Sequence, residues 1–110
     1  REEQEQIASR SAGGERDASG KADSFARYAL ALEYRSADRI DDALRAFGKL
    51  RESDAGYVPM YLQAGAMLSA AGRLDEARAW LQAGIDAARA KGDDHARSEM
   101  ADLLERISAA

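Results

Sequence analysis

Cysteine is absent from this 110-residue chain, which excludes disulfide bonds, thiolate nucleophiles and sulfur-ligated metal sites. Proline occurs once, and the excess of alanine over glycine and proline favours helix over sheet. No apolar run approaches the roughly 18 residues of a membrane span, and no signal peptide is visible. Clustered basic residues are also lacking, and the net charge is -4, so nucleic acid is not an expected partner.

The size and balance of the chain indicate one small globular domain. With 45% hydrophobic and 33% charged residues, it can bury a core but has little stability to spare. The sequence does not determine the compartment, and a soluble, cytoplasmic protein is the default expectation.

An internal repeat is the most informative feature of the sequence. The segment ADRIDDAL at 37–44 recurs as AGRLDEAR at 71–78, so that Ala43 and Ala77 are separated by 34 residues. Self-similarity at a fixed period indicates stacked units that bury their apolar faces against one another.

Residues 1–22 differ in character from the rest of the chain. Ile7 is the only large apolar side chain among them, and residues 11–20 combine glycine, serine and mixed charge as linkers do. We therefore expect residues 1–22 to form a flexible tether, with a docking arm as the alternative, and residues 23–110 to form the folded domain.

Five blocks of apolar residues at helical spacing follow from Asp23 onward. They predict helices over 24–36, from 40 to the turn at 56, 57–71, 74–90 and 93–109. Asp23 or Ser24 is the expected N-cap of the first helix, and Asp93 or Asp94 that of the last. Pro59 fits the first turn of the third helix, where no backbone donor is lost.

Helix pairs with a 34-residue period and small residues at fixed points resemble tetratricopeptide repeats. The residues that match the family's positions are Leu30, Tyr34, Ala43 and Phe47 in the first copy, and Gly65 and Ala77 in the second, where Tyr61, Leu68 and Leu81 stand in for the family's aromatic residues. The departures are Arg27 in place of a large aromatic residue, Ala31 in place of glycine, and Ala55 or Arg89 in place of the closing proline.

The resemblance covers Ser24 to Lys91 and implies an all-α fold. In this fold, antiparallel helix pairs stack as a right-handed superhelix, here with five helices. The implied repeats are 24–57 and 58–91, and an amphipathic capping helix at 93–109 covers the second repeat. Packing physics agrees, because the residues at the expected close approaches of helices are all small, namely Ala43, Ala77, Gly65 and Gly84.

No catalytic, metal or cofactor site is predicted. His95 is the single histidine, and an exposed helix start explains its acidic neighbours Asp93 and Asp94, since carboxylates favour the positive end of a helix. The aspartates at 38, 41 and 42 lack calcium-loop spacing. No glycine-rich phosphate loop or recognisable nucleophile and base pair is present, so we do not expect an enzyme.

The resemblance also implies a binding groove, because the first helix of each family repeat lines the concave face. The groove residues carried over by repeat position are Phe25, Tyr28, Leu32, Arg35, Leu62, Ala66 and Ser69. Such a groove is aromatic and apolar with few charges, and Arg97 of the cap is a further candidate. The Lys and Asn clamp of chaperone-type members is absent, which favours a hydrophobic or amphipathic ligand over a carboxylate tail.

Two functions are consistent with the repeat and its expected groove. The first is a non-catalytic protein-protein interaction module that binds a peptide or amphipathic segment of a partner in the groove. The alternative is a self-association element whose apolar face is buried in a homo-oligomer. Apolar stripes at helical spacing are usually core, so Phe25, Tyr28 and Leu32 could instead be buried under the cap or the tether.

Overall fold

The computed structural model describes residues 16–109, which form five α-helices and no strand. The helices are α1 (Arg16–Ser36), α2 (Ile40–Ser53), α3 (Val58–Ala70), α4 (Leu74–Lys91) and α5 (Asp94–Ala109). The predicted all-α class and number of helices are thus confirmed for this part of the chain. The bounds of α2 to α5 lie within a few residues of those expected from the apolar pattern.

The first helix begins earlier than the sequence predicts. It starts at Arg16, eight residues before the expected start at Ser24. The N-cap predicted at Asp23 or Ser24 is therefore wrong. A lone Gly20 does not interrupt the helix, because glycine inside a helix costs only about 0.5–1 kcal/mol relative to alanine.

The predicted tether divides at this boundary. Residues 1–15 lie outside the described residues, whereas residues 16–22 are helical. The Ser24 side chain makes a contact between elements instead of a cap: it is only 4% exposed, and its hydroxyl donates a hydrogen bond to the Asp54 carboxylate at 2.7 Å. Ser24 thus joins α1 to the loop that follows α2.

The ends of the later helices follow their sequence signals. Asp93 Oδ1 accepts a hydrogen bond from the backbone N–H of Ala96 at 3.1 Å, which confirms Asp93 as the N-cap of α5. Pro59 lies in the first turn of α3, as predicted. Gly92 ends α4 in the left-handed conformation with φ 71°, where glycine carries no steric penalty.

The 34-residue period extends to the turns inside the two helix pairs. Asp38 and Gly72 are 34 positions apart and both are left-handed, with φ of 62° and 80°. After each of them, an arginine N–H donates at 2.9 Å to a helix carbonyl, from Arg39 to Tyr34 and from Arg73 to Leu68. The same turn therefore folds α1 onto α2 and α3 onto α4, and α5 packs against α4 and α3.

Glycines lie at close approaches between helices, as the sequence indicates. A methyl group at Gly65 of α3 would lie 2.5 Å from Leu81 Cδ2 of α4. At Gly84, a methyl group would overlap Tyr61 and the Met100 sulfur, so the second helix pair and the cap also approach closely there. These contacts lie within one continuous core that includes the fully buried Phe47, Leu68 and Leu81.

Aromatic side chains fill the junction between the two helix pairs. The Trp80 ring lies 6.4 Å from that of Phe47 and 5.8 Å from that of Tyr61, measured between ring centres. The Arg51 guanidinium lies over both Trp80 and Tyr61, at 5.0 and 5.4 Å. Cation-π contacts of this kind contribute about 0.5–1 kcal/mol at exposed sites. The junction is thus stabilised by aromatic packing and by the guanidinium that lies over it.

Substitution of Gly65 tests the close approach of α3 and α4. Gly65→Leu forces Leu81 out of its position, and we expect it to lower the free energy of unfolding by about 1–3 kcal/mol. Urea unfolding followed by circular dichroism measures this loss.

Gly48 in α2 provides the matched control. A methyl group there meets no atom within 4 Å. Gly48→Ala should therefore stabilise the protein by roughly 0.5–1 kcal/mol through helix propensity alone. Unchanged stability of Gly65→Leu would contradict the packing of α3 against α4.

Candidate functional site

A cavity of about 480 Å³ opens between α1, α3 and α5, and we call it the groove. Its lining residues are Arg35 from α1, Leu62, Gln63 and Ala66 from α3, and Glu99, Asp102, Leu103 and Arg106 from α5. Three residues predicted from repeat position, Arg35, Leu62 and Ala66, thus lie together. The structure adds Gln63 and the whole contribution of α5.

The floor of the groove is fixed by helical spacing and by one hydrogen bond. Leu62 and Ala66 are four residues apart on α3, so they lie on the same face of that helix. Arg35 lies in the last turn of α1, and its guanidinium donates to the Gln63 side-chain oxygen. This bond joins the first helix pair to the second at the floor of the groove.

The wall of the groove is charged, whereas the groove expected from the first helix of each repeat was apolar with few charges. Glu99, Asp102 and Arg106 recur at three- and four-residue spacing and so share one side of α5 with Leu103. Arg97, the further candidate in the cap, does not line the groove. Its Nε lies 3.9 Å from the Asp94 carboxylate in the first turn of the same helix.

Tyr28 lies at the junction of the helix pairs. Its ring centre is 5.2 Å from that of Tyr57, and the side chain is half-buried. Burial is the main cause that raises the pKa of Tyr28, the neighbouring Tyr57 raises it further, and Arg35 and Gln63 lower it. Burial also raises the pKa of Tyr57, with Asp54 adding to the effect.

The remaining predicted groove residues lie elsewhere. Leu32 and Ser69 are half-buried, and Leu32 packs against the core. Phe25 is 63% exposed and lines a separate cleft of about 770 Å³, together with Tyr57 and Lys91. Phe25 and Arg35 are ten residues apart on α1, or about 15 Å along its axis, which separates the two sites. Phe25 is therefore not buried under the capping helix, whereas burial under the first 15 residues lies outside the described part of the chain.

Other kinds of site find little support in the part of the chain that the structure describes. Within residues 16–109, no group of three or more His, Cys, Asp or Glu side chains is arranged to hold a metal ion. His95 is exposed, and its Nε2 lies 3.6 Å from Glu99 Oε1. None of the described helices combines the length and the apolar character needed to cross a membrane.

The raised pKa values of Tyr28 and Tyr57 predict a pH dependence. Because the folded state favours the neutral phenols, their contribution to stability is present below the ordinary pKa of 10.0 and is lost as the pH rises through the raised values. We expect tyrosinate absorbance to show late-ionising groups in the native protein that the urea-unfolded chain lacks. Tyr28→Phe should remove part of this late phase, and identical native and unfolded titrations would contradict the burial of both rings.

Comparison with known proteins places this architecture in a family. No protein-family model and no curated protein matches the sequence. Among solved structures, the crystal structure of a tetratricopeptide repeat domain protein from Salinibacter ruber is 34% identical, with a TM-score of 0.70 over 78% of this chain and 96% of that chain. A solution NMR structure of a tetratricopeptide repeat domain protein from the same organism is also 34% identical, with a TM-score of 0.73 over 78% of this chain and 87% of that one. With this identity, this coverage and two stacked helix pairs, the chain belongs to the tetratricopeptide repeat family.

Proposed function

We propose that this chain is a non-catalytic protein-protein interaction module that holds an amphipathic segment of a partner protein in the groove. The observation that carries the proposal is the groove itself, with an apolar and amide floor from α3, Arg35 of α1 beside it, and a charged wall from α5. Tetratricopeptide repeats typically serve protein-protein interaction, which supports the same class of function.

The dimensions of the groove suit several side chains of a bound segment. A volume of about 480 Å³ falls within the range of roughly 300–1,000 Å³ that is usual for binding pockets. Leu62 and Leu103 are half-buried on facing helices, so each retains apolar surface that a ligand can cover. A helix or extended segment with apolar residues on one face fits such a surface.

The charges of the groove favour an amphipathic ligand over an acidic tail. Arg35 and Arg106 are matched in number by Glu99 and Asp102. The Arg35 guanidinium is already engaged by Gln63. A terminal carboxylate therefore finds no excess of positive charge in the groove, whereas a segment with both signs of charge finds a complement for each.

Self-association is the second candidate, because the first helix pair leaves apolar surface in water. Phe25 and Leu30, both on α1, are 63% and 45% exposed. Size-exclusion chromatography with light scattering on the full chain separates the candidates. A monomer that binds a segment supports the interaction module, whereas a dimer that loses mass on Phe25→Ala supports self-association.

Filling the floor of the groove tests the interaction module. Ala66→Phe places a ring where the ligand is proposed to lie, and a clash of about 1–3 kcal/mol corresponds to a loss of affinity of about fivefold to about 150-fold. Peptides selected on the wild-type protein from a displayed random library provide the probes, and calorimetry or fluorescence anisotropy measures their affinity.

Ala79→Phe is the matched control, since Ala79 is exposed on α4 and does not line the groove. This variant should bind the selected peptides as the wild type does. Equal affinity of the two variants would place the binding site elsewhere. Failure of the library to yield any groove-dependent peptide would contradict segment binding altogether.

A further inference from the structure

Part of the surface of the first helix pair corresponds to positions that the second pair buries, and we call this surface the leading face. Its residues are Leu30, Tyr34, Asp42, Arg45, Ala46 and Lys49, which line a cavity of about 200 Å³. The positions 34 residues after Leu30 and Tyr34 are Ala64 and Leu68, and both are fully buried.

The counterpart of Ala46 shows what covers this surface in the second pair. Trp80 lies 34 residues after Ala46, and its ring packs against Phe47 of the first pair. The stacking of repeats therefore buries the counterparts of Leu30 and Tyr34 in the second pair and half-buries that of Ala46. In the first pair, Leu30 remains 45% exposed, which is unusual for a leucine at a stacking position.

We propose that residues 1–15 of this chain cover the leading face, with Ile7 on Leu30 and Ala46 and with the glutamates of the segment facing the basic residues around them. Ile7 is the only large apolar side chain of the segment and so supplies a single apolar anchor. Three glutamates, at positions 2, 3 and 5, come before Ile7 in the chain.

Charge complementarity supports this occupant. Arg39 and Arg45 both pair with the one carboxylate of Asp42, and their side chains are still 59% and 69% exposed. Lys49 adds a further cation to the face. Residues 1–15 contain four glutamates and two arginines, so the segment carries a net charge of 2 − 4 = −2. An acidic segment with one apolar anchor therefore matches a basic face with one apolar cavity.

The same charges disfavour a second copy of the chain on this face. A two-fold contact brings the same patch of both copies together. The basic residues Arg39, Arg45 and Lys49 outnumber the acidic Asp42, so two copies would bring net positive charge against net positive charge, which opposes association.

The segment is long enough to reach its target. Leu30 lies 14 residues after Arg16, or about 21 Å along α1. Residues 8–15 span at most about 27 Å when extended, so Ile7 can lie beside Leu30. Gly13 and Gly14 give the chain the backbone freedom to reverse direction before α1 begins.

The absence of cysteine makes disulfide trapping a direct test on the full chain. The test variant is Ile7→Cys with Leu30→Cys. The matched control is Ile7→Cys with Phe25→Cys, because Phe25 lies on the same helix, is more exposed than Leu30 and is closer to Ile7 along the chain. A segment that does not dock would close the two loops at rates within about twofold, with the Phe25 pair favoured.

Docking on the leading face reverses this order. We expect the Leu30 pair to oxidise about tenfold faster than the Phe25 pair, because docking raises the local concentration of the two thiols. Equal rates, or a faster Phe25 pair, would overturn the proposal.

Two further measurements identify the cause of a fast Leu30 pair. Glu3→Lys with Glu5→Lys should slow its oxidation toward that of the Phe25 pair, and an unchanged rate would rule out the charge match.

Mixing chains that carry only Ile7→Cys with chains that carry only Leu30→Cys should give no covalent dimer. Efficient dimer formation would show that the segment binds a second copy and would overturn the intramolecular contact.

Discussion

The Trp80 ring joins the two helix pairs, because it packs against both Phe47 and Tyr61 and lies beneath the Arg51 guanidinium. A single pair of helices cannot bury both of its faces, so each pair depends on this junction for part of its core. The groove depends on it as well. Its floor combines Arg35 of the first pair with α3 of the second, and it exists only while the pairs remain stacked.

The 34-residue period predicted most of the fold because both the backbone turns and the packing residues recur at this spacing. It places Asp38 and Gly72 in the same left-handed turn, and it places Gly65 against Leu81 at a helix approach. The start of α1 was not predictable in this way. Residues 16–22 have no counterpart in the second repeat, and their small and polar side chains carry no apolar periodicity, although their backbone is helical.

Repeat position predicted part of the candidate groove, namely the part where it determines how far along a helix each residue lies. Leu62 and Ala66 of α3 were identified for this reason, whereas Phe25 lies too far toward the start of α1 to reach the groove. The wall from α5 was missed because the capping helix has no repeat counterpart, so its register could not be read from the period. The hairpins thus set the shape of the groove, while the cap sets most of its charge.

The position of Trp80 has a further consequence for observing this molecule. It is the only tryptophan of the chain, and its ring is shared between Phe47 of one repeat and Tyr61 of the next, with a guanidinium 5.0 Å away. Indole emission depends on the polarity and charge around the ring, and here that environment is the joint between repeats. Circular dichroism measures the helical content of the whole protein, whereas tryptophan fluorescence will report changes in the packing of one repeat against the other. Trp80 is therefore an intrinsic fluorescence probe of the packing between the two repeats.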